Sequence, residues 1–325
     1  MAKSLKSLKL YMEKNSKIFL AGHGGLAGSA IFRKLTAEGY ENLILKTSKE
    51  LDLRDAARVN EFFDKEKPEY VFFAAGTVGG ILANNTYPAD FIYDNTMMIF
   101  NTVRAAYQNK IKKLLYLTSS CVYPKFSPQP IKEEYLLTGE LESTNRPYAI
   151  AKIAGAELCG SFNRQFGTNY IVLVPCNLFG INDSYDPHNS HFLPALIRKF
   201  YEARASNHPF VELWGTGKPK REILCSDDLA DACLYFMNNY DGQNIVNIGT
   251  GTDHTITEWA LMLKEISGFT GEIKYDSTKP DGVLEKKLDV SLAKKLGWEV
   301  KTHVKDNLKR VYQDFVKNYQ NLTHS

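Results

Sequence analysis

Long apolar runs are missing from this chain. No stretch approaches the roughly 18 uninterrupted apolar residues that a membrane-crossing helix needs, so a soluble protein with no membrane partner is expected. Cysteine is sparse: Cys121, Cys159, Cys176, Cys225 and Cys233 are odd in number and never fall in a CxxC spacing. That pattern gives no disulfide framework and no metal site, and it points to reduced thiols in a cytoplasmic setting. Charge of one sign is lacking too. Lys plus Arg total 40 against 37 for Asp plus Glu, with the excess scattered, which speaks against a nucleic-acid partner and leaves room for an anionic small molecule. Internal repeats and low-complexity tracts are also absent from the sequence.

What remains is a 325-residue chain long enough for one large α/β domain and a lobe. Residues 1–16 form an N-terminal extension with lysines between leucines. Their apolar positions never make the continuous run of a signal peptide, so a solvated extension is expected, with a weak amphipathic membrane helix as the alternative. A short apolar run at 17–21 then leads into Gly22, Gly25, Leu26 and Gly28, followed by a helical pattern beginning at Ser29. This is the strand, glycine turn and helix order of a dinucleotide site, where Gly22 turns the chain, Gly25 admits a pyrophosphate and Gly28 packs helix on strand.

The end of the next strand, 42–46, decides between the nicotinamide cofactors. An NAD site puts an acid there for the ribose 2′-hydroxyl, whereas Lys46 and Lys49 stand here and favour the 2′-phosphate of NADP, with Asp52 and Leu53 beside the adenine. The third strand, 70–75, ends in Ala74, Ala75 and Gly76, small enough for a cofactor to lie against the backbone. A fourth, 114–118, delivers Ser119, Ser120 and Cys121 to its rim. On an extended segment Ser119 and Cys121 would point to one face. Tyr148 and Lys152 follow at i and i+4 on an Ala-rich helix running to about 166, so both project from one side as a proton donor and a cation. After a strand at 170–175, ending in Pro175 with Asn177 and Leu178 just beyond, the rhythm changes to a polar loop at 181–191. The expected boundaries are a dinucleotide-binding domain at 17–178, rejoined by 220–250, and a mainly substrate-binding lobe at 179–325.

Gly22xxGly25xxGly28, Asn95, Ser119 and Tyr148-Ala-Ile-Ala-Lys152 together resemble the extended short-chain dehydrogenase/reductase family, which acts on nucleotide-linked sugars. The stretches VGGILANNTYPADFIYDN, SSCVYPK, NRPYAIAKIAGAELC, NSHFLPALIRKF, WGTGKPKRE and KPDG are similar to its GDP-L-fucose synthase branch. The resemblance implies a doubly wound parallel sheet, a homodimer, NADPH, and reduction at C4 of a GDP-linked 4-keto-6-deoxy sugar with epimerisation at C3 and C5. A C4 carbonyl acidifies the protons on both neighbouring carbons, so one acid/base pair serves both. By resemblance that pair is Cys121 and His191, Tyr148 is the proton donor for the reduction, and Lys152 holds the nicotinamide ribose and favours ionised Tyr148. Pro175, Asn177, Leu178 and His191 are implied at the cofactor. Ser119, Ser120, Cys121, Asn177, Arg198, Trp214, Arg221 and Lys286 are implied at the substrate. Gly24, Thr77, Cys176, Cys225 and Glu285 depart from the pattern. Two alternatives therefore stand: a reductase of a GDP-linked heptose that does not epimerise, and a dinucleotide-binding protein without catalysis.

Overall fold

Strands rich in apolar residues on both faces settle where water cannot reach either face, and five fully buried strands make the centre of this molecule. A computed structural model describes residues 12–186, 190–279, 281 and 283–322. Its strands are β1 (Ile18–Ala21), β2 (Leu43–Ile44), β3 (Tyr70–Phe73), β4 (Lys113–Leu117), β5 (Tyr170–Pro175), β6 (Asn177–Phe179), β7 (Phe210–Trp214), β8 (Lys220–Arg221), β9 (Ile223–Cys225), β10 (Val246–Ile248), β11 (His254–Thr255) and β12 (Glu272–Asp276). The helices are α1 (Leu26–Ala37), α2 (Ala56–Glu66), α3 (Ile81–Thr86), α4 (Pro88–Gln108), α5 (Arg146–Phe166), α6 (Phe192–Ala205), α7 (Ser226–Asn239), α8 (Ile256–Ser267), α9 (Ser291–Lys295) and α10 (Val304–Leu322).

Six strands pair in the order β10-β5-β4-β3-β1-β2, all parallel. Alternate residues feed opposite cores, as the two-residue strand period requires. Ile18, Leu20, Phe72, Leu115 and Leu173 pack with Ile31 and Leu35 of α1 and Phe236 of α7. Phe19, Phe73, Leu114, Tyr116 and Val172 pack on the other side with Phe63 of α2, Val103 of α4 and Cys159 of α5. The expected doubly wound sheet is therefore present. Chain direction across the sheet reverses between β1 and β3, and the ends of these two strands open the crevice in which such sheets hold ligands. A separate core of Phe179, Leu196, Phe200, Leu213, Trp259 and Phe315 builds the lobe.

Several boundaries differ from expectation. The second strand is only Leu43–Ile44, because the Glu50 carboxylate accepts the backbone N–H of Thr47 at 2.8 Å and turns the chain out of the sheet. Of 220–250, only β10 rejoins the large sheet as a strand; β8 pairs with β11 and β9 with β6 in two-stranded sheets. Most of the lysine-rich extension lies outside the described residues. Its end is packed: Met12 is buried, and its N–H donates to Asn238 Oδ1 at 3.0 Å. No helix among the described residues is long and apolar enough to cross a membrane.

The first residue of β4 is a lysine with 2% exposure. Lys113 Nζ donates to the carbonyls of Phe236 at 3.1 Å and Met237 at 2.8 Å, and pairs with Asp241 at 3.2 Å. The cation thus satisfies the orphan carbonyls at the end of α7 and complements their partial negative charge. Lys113→Met is expected to lower unfolding stability by about 3 kcal/mol, the range for removing one partner of a buried polar cluster. Urea denaturation measures it, and a loss no larger than that of a surface substitution would contradict this account.

Candidate active site

The end of β4 sets the site. Thr118 bonds sideways to the Leu173 carbonyl at 3.1 Å, and Ser119 then leaves the sheet with φ −156° and ψ 151°. Its hydroxyl accepts the backbone N–H of Cys121 at 3.5 Å and caps a short 3₁₀ turn, Ser120–Val122. The extended geometry expected to align Ser119 and Cys121 is therefore replaced by a turn. A serine hydroxyl competes with the strand ladder for nearby backbone, and here it wins. The pair stays together, since Ser119 also hydrogen-bonds the Cys121 side chain.

Opposite stands α5, entered through Pro147 in its first turn, where a missing N–H costs nothing. Ala149 and Ala151 are fully buried, and a side chain at Gly155 would begin 2.7 Å from the Tyr116 ring, so this helix lies close on the sheet. Tyr148 falls in the first turn, its ring edge-on to Phe91 with centroids 6.2 Å apart. Lys152 is one turn on and 5% exposed. Its Nζ donates to the Leu117 carbonyl at 3.1 Å and lies 5.7 Å from the Tyr148 ring centre and 5.1 Å from that of Tyr116. Burial raises the Tyr148 hydroxyl pKa and pushes Lys152 down to about 8. It also raises the Cys121 thiol, against which Lys286 and then Ser119 and Lys152 act in the opposite direction. The cluster is poised with its protons on Tyr148 and Cys121.

The glycine turn meets the same place. Gly22 has φ +84°, and a β-carbon there would stand 2.6 Å from the Ala75 backbone; one at Gly28 would stand 2.0 Å from the Gly22 carbonyl oxygen. One at Gly76 would lie 3.0 Å from Asn95 Oδ1 and 3.6 Å from Lys152 Nζ. Asn95 fixes this loop by accepting the Thr77 N–H at 3.2 Å and donating to the Thr77 carbonyl at 3.0 Å. Turn, strand end and lysine thus converge on one crevice. Gly25 caps α1 without a side-chain hydrogen bond, Leu26 begins the helix, and its first turn carries no acid. The residues present therefore fit a dinucleotide, with the α1 N–H groups as the diphosphate cradle. Gly24 on the outside of the turn has nothing within 4 Å of where a β-carbon would be. Near the adenosine end, Lys46 is 3.8 Å from Glu50 and Lys49 is exposed. Asp52 is occupied by Arg54, which also reaches Asp94 at 3.1 Å, and Leu53 is buried beneath.

On the lobe side Lys286 lines a small cleft with Ser120, Cys176, Asn177, Glu222 and Leu288. Its ammonium pKa is lowered, first by burial and then by neighbouring Arg221, while Cys121 opposes the shift. Pro175 ends β5 just before this cleft, and Leu178 is half-buried beyond it. The Arg221 guanidinium donates to the carbonyls of Lys220 at 2.7 Å and Val283 at 2.6 Å. The Trp214 indole is 66% exposed. Arg198, expected at the substrate, is instead engaged by the Glu202 carboxylate at 2.7 Å and the Tyr185 carbonyl at 3.0 Å. Its neighbour Lys199, which sequence reasoning passed over, lies 5.6 Å from the centre of the Trp214 ring. The next residue of a helix points about 100° away, and that rotation was the available signal. His191 stands at the N-cap of α6 without a side-chain cap hydrogen bond; its outer edge is exposed, while partial desolvation of the ring lowers its pKa.

Residues 18–249 match the NAD dependent epimerase/dehydratase family, and the chain belongs to it. It is 51% identical over 314 residues to a putative GDP-L-fucose synthase 2 of Arabidopsis thaliana, covering 97% of this chain and 96% of that one. Among solved structures it is similar to a GDP-6-OMe-4-keto-L-xylo-heptose reductase from Campylobacter jejuni, with TM-score 0.89, 40% identity and coverage of 95% and 99%. A GDP-mannoheptose C4 reductase from the same organism, with NADP bound, gives TM-score 0.87 and 42% identity, covering 94% of this chain and 99% of that one.

The depressed Lys152 pKa has a consequence for stability. Between about 8 and the ordinary value of 10.5 the unfolded chain binds a proton that the folded chain has released, so stability rises with pH across that window. Urea midpoints from about pH 8 to about pH 10 are expected to climb more steeply for the native chain than for Lys152→Met. Parallel slopes would remove Lys152 as the cause.

Proposed function

We propose that this chain is an NADPH-dependent C4 reductase of a GDP-linked 4-keto-6-deoxy sugar. The observation that carries the reading is the convergence of Ser119, Tyr148 and Lys152 with Gly76 and the glycine turn, in a chain 52% identical over 309 residues to the GDP-L-fucose synthase 1 of Arabidopsis thaliana. NADPH supplies a hydride when bound. Tyr148 donates the proton to the C4 oxygen, from a hydroxyl that burial keeps protonated. Ser119 hydrogen-bonds that same oxygen, and Lys152 steadies the phenolate that Tyr148 leaves behind. The α1 N–H groups take the cofactor diphosphate, with Lys46 and Lys49 at the 2′-phosphate. Trp214, Lys199, Arg221 and Lys286 receive the GDP portion. We read 17–178 with α7 and β10 as the dinucleotide-binding domain and the remainder of 179–325 as the substrate lobe, in a cytoplasmic enzyme.

Epimerisation at C3 and C5 is the finer part of the proposal. Burial keeps the Cys121 thiol protonated and the His191 imidazole neutral, so one holds a proton and the other can take one. The second reading, a heptose C4 reductase without epimerase activity, draws on the 40% and 42% identity to the two heptose reductases. A second copy of the chain is proposed to cover the α4 and α5 face, where Tyr93 is 60% exposed and Ile150 38%.

Tyr148→Phe is expected to slow NADPH oxidation with the preferred keto sugar by about 100-fold or more, the range for losing a general acid. Unchanged turnover with both the hexose and the heptose substrates would end the reductase assignment. Running the native reaction in deuterated water separates the finer readings: label at C3 and C5 supports the epimerase, and its absence with full turnover supports the plain reductase. Sedimentation of the native chain beside Tyr93→Glu tests the dimer, which the substitution is expected to dissociate.

A further inference from the structure

Glu222 lies between β8 and β9 and is 2% exposed. A carboxylate so buried ordinarily needs a cation. Its hydrogen-bond donors among the described residues are instead backbone N–H groups and one hydroxyl. Oε1 accepts from the Gly251 N–H at 2.7 Å and from the Thr250 hydroxyl at 3.3 Å, while Oε2 accepts from the Leu288 N–H at 2.7 Å. The N–H of Glu222 itself donates to the Lys286 carbonyl at 3.4 Å. From the far side Gly249 presses close, for a β-carbon there would stand 2.3 Å from Oε1. Three separate pieces of chain meet on this one side chain. The turn at 249–251 follows β10 of the large sheet, the β8–β9 segment carries Arg221, and 286–288 carries Lys286. The cleft lined by Ser120, Cys176, Asn177 and Lys286 has Glu222 and Leu288 in its wall.

We propose that Glu222 is a positioning residue: its two oxygens tie the Lys286 segment to the end of β10, so that the Lys286 and Arg221 cations are preset to receive the nucleotide diphosphate. This deepens the function proposed above and rests on its assignment of those two cations to the GDP portion. A carboxylate suits the place because it accepts from both sides. A glutamine would accept on one side only and turn its NH₂ toward an N–H on the other. Without the tie each cation must be ordered at the moment of binding, a cost that appears in substrate affinity rather than in the chemical step.

The test uses the full chain. Glu222→Gln is expected to weaken GDP binding and raise the KM for the keto sugar by about tenfold, the loss of roughly one hydrogen bond to a charged group, with kcat and the KM for NADPH held within about twofold. Combined with Lys286→Met and Arg221→Met together it is expected to add little to the GDP loss of that pair alone, since Glu222 acts through those two cations. If Glu222→Gln does not fold, Gly249→Ala displaces the carboxylate from the other side and is expected to give the same KM-only loss. Native GDP affinity in the Glu222 or Gly249 variant, beside a clear loss in Lys286→Met and Arg221→Met, would overturn the positioning role and leave the site reading standing. Native GDP affinity in Lys286→Met and Arg221→Met as well would overturn both.

Discussion

An ammonium group held at 5% exposure is the constraint around which this molecule is arranged. Lys152 cannot remain in so dry a place without an acceptor, and the Leu117 carbonyl at the end of β4 provides one at 3.1 Å. For that carbonyl to be reachable, α5 must lie hard against the sheet, which its buried alanines and Gly155 against Tyr116 allow. The space beyond the ammonium must then stay clear for a cofactor, and Gly76 keeps it so. Each requirement is local, yet together they fix how β3, β4 and α5 stand against one another.

Much of this could be read from the residues alone. Continuous apolar strands, the glycine turn at Gly22, and Tyr148 four residues before Lys152 located the sheet, the crevice and the helix, because each depends on short-range pattern. What sequence could not supply was side-chain competition. The hydroxyl of Ser119 curls the chain into a turn where alternation promised a strand, and the Glu50 carboxylate ends β2 early. Arg198 is tied to Glu202 and the Tyr185 carbonyl, contacts that its place in the sequence does not announce. Lys199 and Glu222 depend on contacts with chain far away in sequence, and no spacing rule announces them.

The two halves of the site rest on different kinds of order. The cofactor side is built from backbone: glycine turn, strand ends and the free N–H groups of α1. The substrate side is built from long charged side chains on short paired strands and loops, which have many rotamers to lose. Buried polar ties such as Glu222 bring the second half nearer the rigidity of the first.

Gly24 leads in another direction. The outer face of the glycine turn is open, with nothing inside 4 Å of a would-be side chain, while Gly22 and Gly28 a few residues away are hemmed in by backbone. Side chains introduced at these neighbouring positions therefore meet opposite steric constraints. The inner glycines are frozen by sterics, whereas position 24 can drift among many residues without disturbing the fold, and it faces solvent beside a cofactor crevice. A side chain introduced at position 24 would therefore reshape the surface beside that crevice without rebuilding the machinery that moves the proton.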